Sequence, residues 1–413
     1  MLDIGPIHRH EYEQDSRAGG VFASKEKSGK DGGISPEADQ VVIAQAPGRI
    51  NFLGEHGDPS ANLYLSAAIN RWISIAVSAR KDNSLRFYAV DLGERKRATL
   101  VNLKYKREDR WANYIKTAIY LFADMGFPVK GMNFTVSGDI PLQIGLASSS
   151  AIEVAAAVAL RGFLRVKMGD RDLVDRLAAA HLKFYGTPPH TADYLIGLFA
   201  QNDHFLLVDE ANLSVTRVKS PFSRCKIILV DSRVPRFGIE SELDVRRQDV
   251  NTALEILSRD NEGASFREFA ALDLMESMGN LPEEIRRRSL YVVQEIRRVM
   301  SAKDYLLRSD FSGFSRIIFN SHEGLRDLYE VSCPEIDWMV KRAQETVGVL
   351  GARMTGPGFG GCTYAIVKNE AAMEYRTRID DYERIFGFRP AVYEVKIATG
   401  SKVVKDANKQ AQH

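Results

Sequence analysis

Apolar residues recur along the chain with two different periods. Short runs rich in branched and aromatic side chains, Val41–Ala44, Ile73–Val77, Leu85–Val90, Asn133–Val136 and Phe205–Val208, read as strands. Among them, Trp111–Met125, Ser150–Phe163 and Arg171–Phe184 carry the three- and four-residue spacing of helices. The pattern then starts again. Lys226–Val230 reads as a buried strand, long amphipathic helices follow near 241–258, 282–302 and 310–328, and strands close the chain near Cys362–Val367 and Ala391–Lys396. Separated strands and helices, without regular alternation, predict an α+β fold. Two halves follow, residues 41–218 and 219–404, with no repeat or long linker between them. Residues 1–40 are rich in Gly, Ser, Lys, Asp and Glu without periodicity and predict a mobile arm; 405–413 predict a flexible tail.

Composition narrows the classes. At 413 residues the chain is long enough for two ordinary domains, and 45% hydrophobic with 27% charged residues is a globular balance. A net charge of +2 gives no general attraction to nucleic acid or membrane. The arginine clusters Arg246-Arg247, Arg286-Arg287-Arg288 and Arg297-Arg298 fall in mixed-charge helical segments and read mostly as solvated helix faces. The three cysteines, Cys225, Cys333 and Cys362, lie far apart without metal-ligand spacing and suit a reducing compartment. No apolar run reaches the ~18 residues of a membrane span and no signal-peptide pattern opens the chain. The expectation is a soluble cytoplasmic protein with no nucleic-acid or membrane partner, monomeric or dimeric.

Three segments carry candidate chemistry. Pro47–Asp58 follows the first strand and presents Arg49, Asn51, Glu55, His56 and Asp58 among glycines. It is either a pocket wall suited to a polyhydroxylated ligand or a surface turn with a solvated charge cluster. Pro141–Ala151 brings Gly145 and three serines, Ser148, Ser149 and Ser150, to the start of an Ala-rich helix. Small residues there let backbone N–H groups approach an anion at the positive end of the helix dipole; the alternative is a serine cap on a buried helix. It is not a Walker A loop, because no Gly-Lys-Ser/Thr follows. Gly356–Gly361 places four glycines in six residues, more than a plain hairpin needs, which points to close backbone approach.

Together these segments resemble the galactokinase family of the GHMP small-molecule kinases. The first resembles Gly-Arg-x-Asn-x-x-Gly-Glu-His-x-Asp-Tyr, matched by Gly48, Arg49, Asn51, Gly54, Glu55, His56 and Asp58, with Pro59 in place of the Tyr. The second resembles Pro-x-Gly-x-Gly-Leu-(Gly/Ser)-Ser-Ser-Ala, matched by Pro141, Gly145, Leu146, Ser148 and Ser149, with Gln143 for the first Gly and Ser150 for the Ala. The third resembles Gly-x-Gly-Phe-Gly-Gly-Cys, supported upstream by the run from Ser321-His322 to Asp337. The resemblance covers roughly residues 41 to 400. It implies a two-domain GHMP-kinase fold with the active site between the domains, and an ATP-dependent sugar kinase acting on the anomeric hydroxyl of galactose or a related sugar. It also implies ATP and Mg²⁺. Asp193 takes the place of the catalytic base, with Arg49 as its electrostatic partner; Glu55, His56 and Asp58 line the sugar site. Gly145, Leu146, Ser148, Ser149 and Ser150 wrap the ATP phosphates, with Ser149 a metal ligand, and Trp111 lies near the adenine. From its residues alone, the Trp111 segment is equally an aromatic core stripe.

Several positions depart from the family pattern. His181 stands where a Glu completes the metal site, Tyr194 where a Gln follows the base, His190 where a Gly precedes it, and Leu243 where a Tyr approaches the sugar. Imidazole suits hard Mg²⁺ poorly, and Glu153, near in sequence, is a candidate to replace the missing carboxylate. These departures hold open two alternatives: the same chemistry on a hexosamine, pentose or uronic acid, and a non-catalytic sugar and ATP sensor on the same fold.

Overall fold

The computed structural model describes residues 41–59, 61–260, 265–267 and 278–406. The arm expected over 1–40 and the tail residues 407–413 lie outside the described residues.

In chain order the first half contains β1 (Val41–Leu53), β2 (Leu63–Ala79), β3 (Ser84–Ala89), β4 (Glu94–Thr99), α1 (Ala112–Asp124), β5 (Met132–Gly138), α2 (Ser148–Phe163), α3 (Asp170–Tyr185), α4 (Thr191–Phe199), β6 (His204–Asp209) and β7 (Ser214–Lys219). The second half contains β8 (Cys225–Asp231), α5 (Ile239–Asp260), α6 (Glu283–Arg308), α7 (Phe311–Asp327), α8 (Pro334–Gln344), β9 (Val349–Thr355), β10 (Cys362–Lys368), α9 (Ala372–Phe386), β11 (Ala391–Val395) and β12 (Lys402–Asp406).

The strands form two sheets. The larger runs β12-β1-β2-β5-β3-β4, with β6 paired to the start of β2 and β7 to β6; the smaller runs β11-β8-β10-β9. Only the β3–β5 pairing is parallel among those of the described strands. The α+β expectation is met, with two differences. First, β1 does not stop before the polar segment but continues through it to Leu53. Its register against β2 shifts between Pro47 and Gly48, where a bulge absorbs the residue that cannot donate a ladder hydrogen bond. Arg49 therefore sits on a strand, opposite Ala68, and not on a loop. Second, the chain end returns to the first sheet: β12 pairs antiparallel with β1, Val42 facing Asp406 and Ile43 facing Lys405. The division at 404 thus cuts a strand of the larger sheet, and Lys405 is not tail.

The two sheets share one hydrophobic core. Phe52 of β1 meets Phe205 of β6 edge-on at 4.9 Å and Tyr364 of β10 at 4.7 Å, and the Tyr364 hydroxyl donates to the Phe52 carbonyl at 2.7 Å. Helix α2 owes its burial to small side chains: every residue from Ala151 to Leu160 is buried, which lets it lie against β1, β2, α1 and α4. A second cluster, including Ile228, Val230, Met339, Tyr375 and Tyr382, fills the other face of the smaller sheet under α8 and α9. Two arginines read as solvated are buried instead. Arg246 donates to the carbonyls of Tyr329 and Glu330, and Arg288 pairs with Asp249 and Glu330. Among the described residues no helix is long and apolar enough to cross a membrane.

Candidate active site

Strand β1 and the first turn of α4 bring Arg49 and Asp193 together across 144 positions of sequence. Arg49 Nε donates to Asp193 Oδ1 at 2.8 Å, and Nη2 approaches Oδ2 at 3.5 Å. Arg49 Nη1 donates to the Gly145 carbonyl at 2.5 Å and the Arg49 backbone N–H to the Leu146 carbonyl at 3.1 Å. Burial works against the Arg49 charge, but the carboxylates of Asp193 and Glu55 outweigh it and hold the guanidinium above its ordinary value. The pair is thus tied to the serine-rich loop through backbone atoms of that loop.

The loop itself is shaped by left-handed residues: Gln143 at φ 63°, Gly145 at 92° and Ala147 at 59°. Gln143 therefore keeps the backbone conformation that a Gly adopts easily. Gly145 has a second requirement, since a Cβ there would lie 2.7 Å from Gly356 Cα. The serine loop and the C-terminal glycine loop consequently touch backbone to backbone. Helix α2 starts at Ser148, and its first helical bond runs from Ala151 N to the Ala147 carbonyl. The N–H groups of Ser148, Ser149 and Ser150 precede that bond, at the positive end of the helix, where an anionic phosphate is stabilised. The Ser149 hydroxyl meets the Tyr114 phenol, and the Ser150 hydroxyl donates to Asp193 Oδ2 at 3.0 Å. Leu146 contributes its carbonyl, while its side chain is buried in the core.

Of the residues assigned to the sugar wall, Glu55 and Asp58 are buried and His56 is half-buried, and all three are bonded to the second half of the chain. Glu55 Oε1 accepts from the Gly356 N–H and from Thr355 Oγ1 at 3.3 Å; its Oε2 faces Arg353 Nη2 at 3.4 Å. Burial raises the Glu55 carboxyl, against the opposing pull of Arg353 and Arg49. His56 takes φ 55°, stacks on Tyr329 at 4.8 Å, and its Nε2 contacts the Pro357 carbonyl at 3.0 Å. Burial, with the nearby Arg353 and Arg247, lowers His56 to about 3, so the ring is neutral and donates from Nε2 to that carbonyl. Asp58 accepts from the Phe266 N–H at 2.8 Å. Glu55 and His56 thereby fasten the first segment to the C-terminal glycine loop. Leu243 is buried in the core, so the position where a Tyr was expected packs inward.

The departures at 181 and 194 form one cluster. Glu153 on α2 accepts from the Tyr194 hydroxyl, and its other oxygen faces His181 Nδ1 at 2.8 Å. His181 stacks on Tyr185 at 4.4 Å. Both Glu153 oxygens are therefore committed to protein partners, and the cluster offers no second carboxylate beside Ser149. Among the described residues no group of three His, Cys, Asp or Glu side chains stands together as a metal site. Trp111 stands apart: its indole N–H donates to Glu94 at 3.0 Å and it is buried in the core, which favours the core reading of that segment. His190 caps α4 with its backbone, accepting from Asp193 N at 3.0 Å, and its side chain is exposed.

Glu210 was not singled out from sequence. It follows β6 in an acidic pair, Asp209-Glu210, and only the fold brings it to the start of α4, where its Oε1 accepts from the Ala192 N–H at 3.2 Å. Burial raises its carboxyl from 4.5 to about 7, with nearby Asp193 adding to the rise and the Ala192 N–H opposing it. A carboxyl raised on folding stabilises the fold below its unfolded value, and that contribution is lost as pH climbs through the folded one. Glu210→Gln is therefore expected to gain stability over the parent as pH rises from about 5 to 8, by up to about 3 kcal/mol. Urea midpoints measured across that range check this; a constant difference between the two proteins contradicts it.

Three family models match the chain. GHMP kinases N terminal domain covers residues 113–201, GHMP kinases C terminal covers 302–374, and the galactokinase galactose-binding signature covers 35–79. A Treponema pallidum (strain Nichols) relative is 38% identical over 377 residues, spanning 90% of this chain and 94% of its own. The galactokinase of Roseiflexus sp. (strain RS-1) is 32% identical over 377 residues, spanning 91% and 95%. Among solved structures, Lactococcus lactis galactokinase complexed with galactose superposes with a TM-score of 0.81 at 26% identity, covering 88% of this chain and 95% of that one.

Proposed function

The chain belongs to the galactokinase family of the GHMP kinases, and from that premise we propose that it transfers the γ-phosphoryl group of ATP to the anomeric hydroxyl of galactose. The observation that carries the reading is the Arg49–Asp193 pair, 2.8 Å apart and bonded to the loop at the N-terminus of α2. A base for the sugar hydroxyl and an anion cradle for the phosphates stand side by side, which is what in-line phosphoryl transfer requires. In this reading Asp193 accepts the proton of the attacking hydroxyl, and Arg49 keeps the carboxylate oriented. The backbone N–H groups of Ser148, Ser149 and Ser150 receive the phosphates, and Gly145 and Leu146 shape the loop. The Ser149 hydroxyl would be the protein oxygen that holds Mg²⁺ together with the nucleotide phosphates, and the ion would supply charge neutralisation there. His56 and Asp58 border the sugar, and Glu55 braces that wall from behind through Gly356. The division of labour between an N-terminal and a C-terminal domain and the cytoplasmic setting belong to the same proposal.

The test is ADP release with ATP over a panel of galactose, galactosamine, arabinose and galacturonate. Turnover highest with galactose is the expected result. A different preferred sugar overturns the substrate. No turnover with any of them, alongside clear ATP binding, overturns the enzyme in favour of a sensor.

A further inference from the structure

The serine at position 150, where the family pattern has Ala, directs its hydroxyl at the carboxylate of Asp193. Its hydroxyl donates to Asp193 Oδ2 at 3.0 Å. The other oxygen, Oδ1, is held by Arg49 Nε at 2.8 Å, and the Arg49 Nη2 contact to Oδ2 is long, at 3.5 Å. Ser150 is thus the close side-chain donor to Oδ2 among the described residues.

The packing around it makes this contact hard to avoid. Helix α4 lies on α2, where a Cβ at Gly197 would meet Val154 at 3.6 Å. Two side-chain rungs join these helices. Ser150 reaches Asp193, and Glu153, one turn along α2, receives the hydroxyl of Tyr194. His181 of α3 braces the second rung at 2.8 Å from Glu153. A carboxylate held at both oxygens cannot swing about its terminal torsion, which is otherwise broad. Holding the acceptor atom before the sugar arrives removes reorganisation from the reactive step.

We propose that Ser150 is a positioning residue for Asp193, not a ligand of the ATP phosphates. The inference rests on the kinase reading above and assigns the hydroxyl, while its backbone N–H stays in the anion cradle.

Ser150→Ala and Ser150→Thr separate the two roles. With the hydroxyl removed, kcat is expected to fall about 10- to 100-fold, the range of a hydrogen bond to a charged group. KM for ATP, and ATP affinity by titration calorimetry, are expected to stay within about twofold, because the backbone cradle is untouched. Ser150→Thr keeps the donor and is expected to recover kcat to within about threefold of the parent. A rise in KM for ATP with kcat unchanged makes the hydroxyl a phosphate ligand and overturns the proposal. So does an unchanged kcat in Ser150→Ala. Crystal structures of the parent and Ser150→Ala give a readout independent of turnover. The Asp193 carboxylate is expected to turn about its terminal torsion in the variant, and an unturned carboxylate overturns the proposal even if the parent phosphorylates no sugar.

Discussion

Asp193→Asn is expected to lower kcat about a thousandfold, within the range ascribed to a positioned general base, while leaving the fold and both substrate affinities close to those of the parent. The substitution keeps the shape of the side chain. Its amide oxygen can still accept from Arg49 Nε, and its NH2 group can donate to Ser150 Oγ, because a hydroxyl accepts as well as donates. What is lost is the negative charge and the ability to take a proton from the sugar hydroxyl. Arg49 then keeps only Glu55 among the two carboxylates that support its charge. Initial rates of ADP release with calorimetric affinities for ATP and galactose check the outcome. A kcat within about tenfold of the parent places the base elsewhere. A large rise in both KM values with kcat unchanged makes Asp193 a binding residue.

Much of this geometry was legible in the chain. The Ala-rich run after Ser150, the branched strands and the long helices of the second half all formed near the positions that their periodicity indicates. Asp193 and Arg49 were paired by resemblance, and they meet at 2.8 Å. The misreadings have physical causes. Pro47-Gly48 reads as the end of a strand, yet a bulge carries β1 past it, because the flanking residues are buried on both faces and the ladder to β2 is long. Strand β4, Glu94-Arg95-Lys96-Arg97-Ala98-Thr99, is too polar to announce itself; it pairs only with β3, at the sheet edge, where charge is tolerated. Helix α4 is nine residues long and follows Pro188-Pro189, so its period is too short to read. Glu210 and the Glu153–Tyr194 rung could not be read at all. Their partners are 18 and 41 positions away, and nothing local marks which side chains the fold will bring opposite them.

Arg353 is another long-range case and carries the second large effect. Arg353→Met is expected to destabilise the protein by about 3–5 kcal/mol, the cost of breaking a buried ion pair from one side. The guanidinium is fully buried on β9 and reaches back some 300 positions. Nη1 donates to the carbonyls of Asn51 at 3.3 Å and Phe52 at 3.2 Å, and Nη2 faces Glu55 at 3.4 Å and Glu295 at 3.8 Å. Glu295, also fully buried, accepts from the Gly54 N–H at 2.8 Å and from Ser321, and pairs with Arg298 at 3.0 Å. Two carboxylates and two guanidiniums thus balance inside the protein, joining β1, α6, α7 and β9. Methionine fills similar space but leaves one carboxylate without its counter-charge. The loss should shrink at acid pH. Burial already raises the Glu55 carboxyl and Arg353 is the largest force opposing that rise, so without it Glu55 takes up a proton more readily. A protonated Glu55 restores neutrality, and the gap between parent and variant narrows as pH falls from about 8 to 5. Adding Glu295→Gln is expected to recover part of the loss by removing the excess charge directly. Urea midpoints at both ends of that range decide the matter. A loss under about 1 kcal/mol, or one that widens toward acid pH, means that the two carboxylates do not depend on Arg353 for their charge. Against a typical total of about 5–15 kcal/mol, the expected loss is a large share of what holds β1, and Arg49 upon it, against the second sheet.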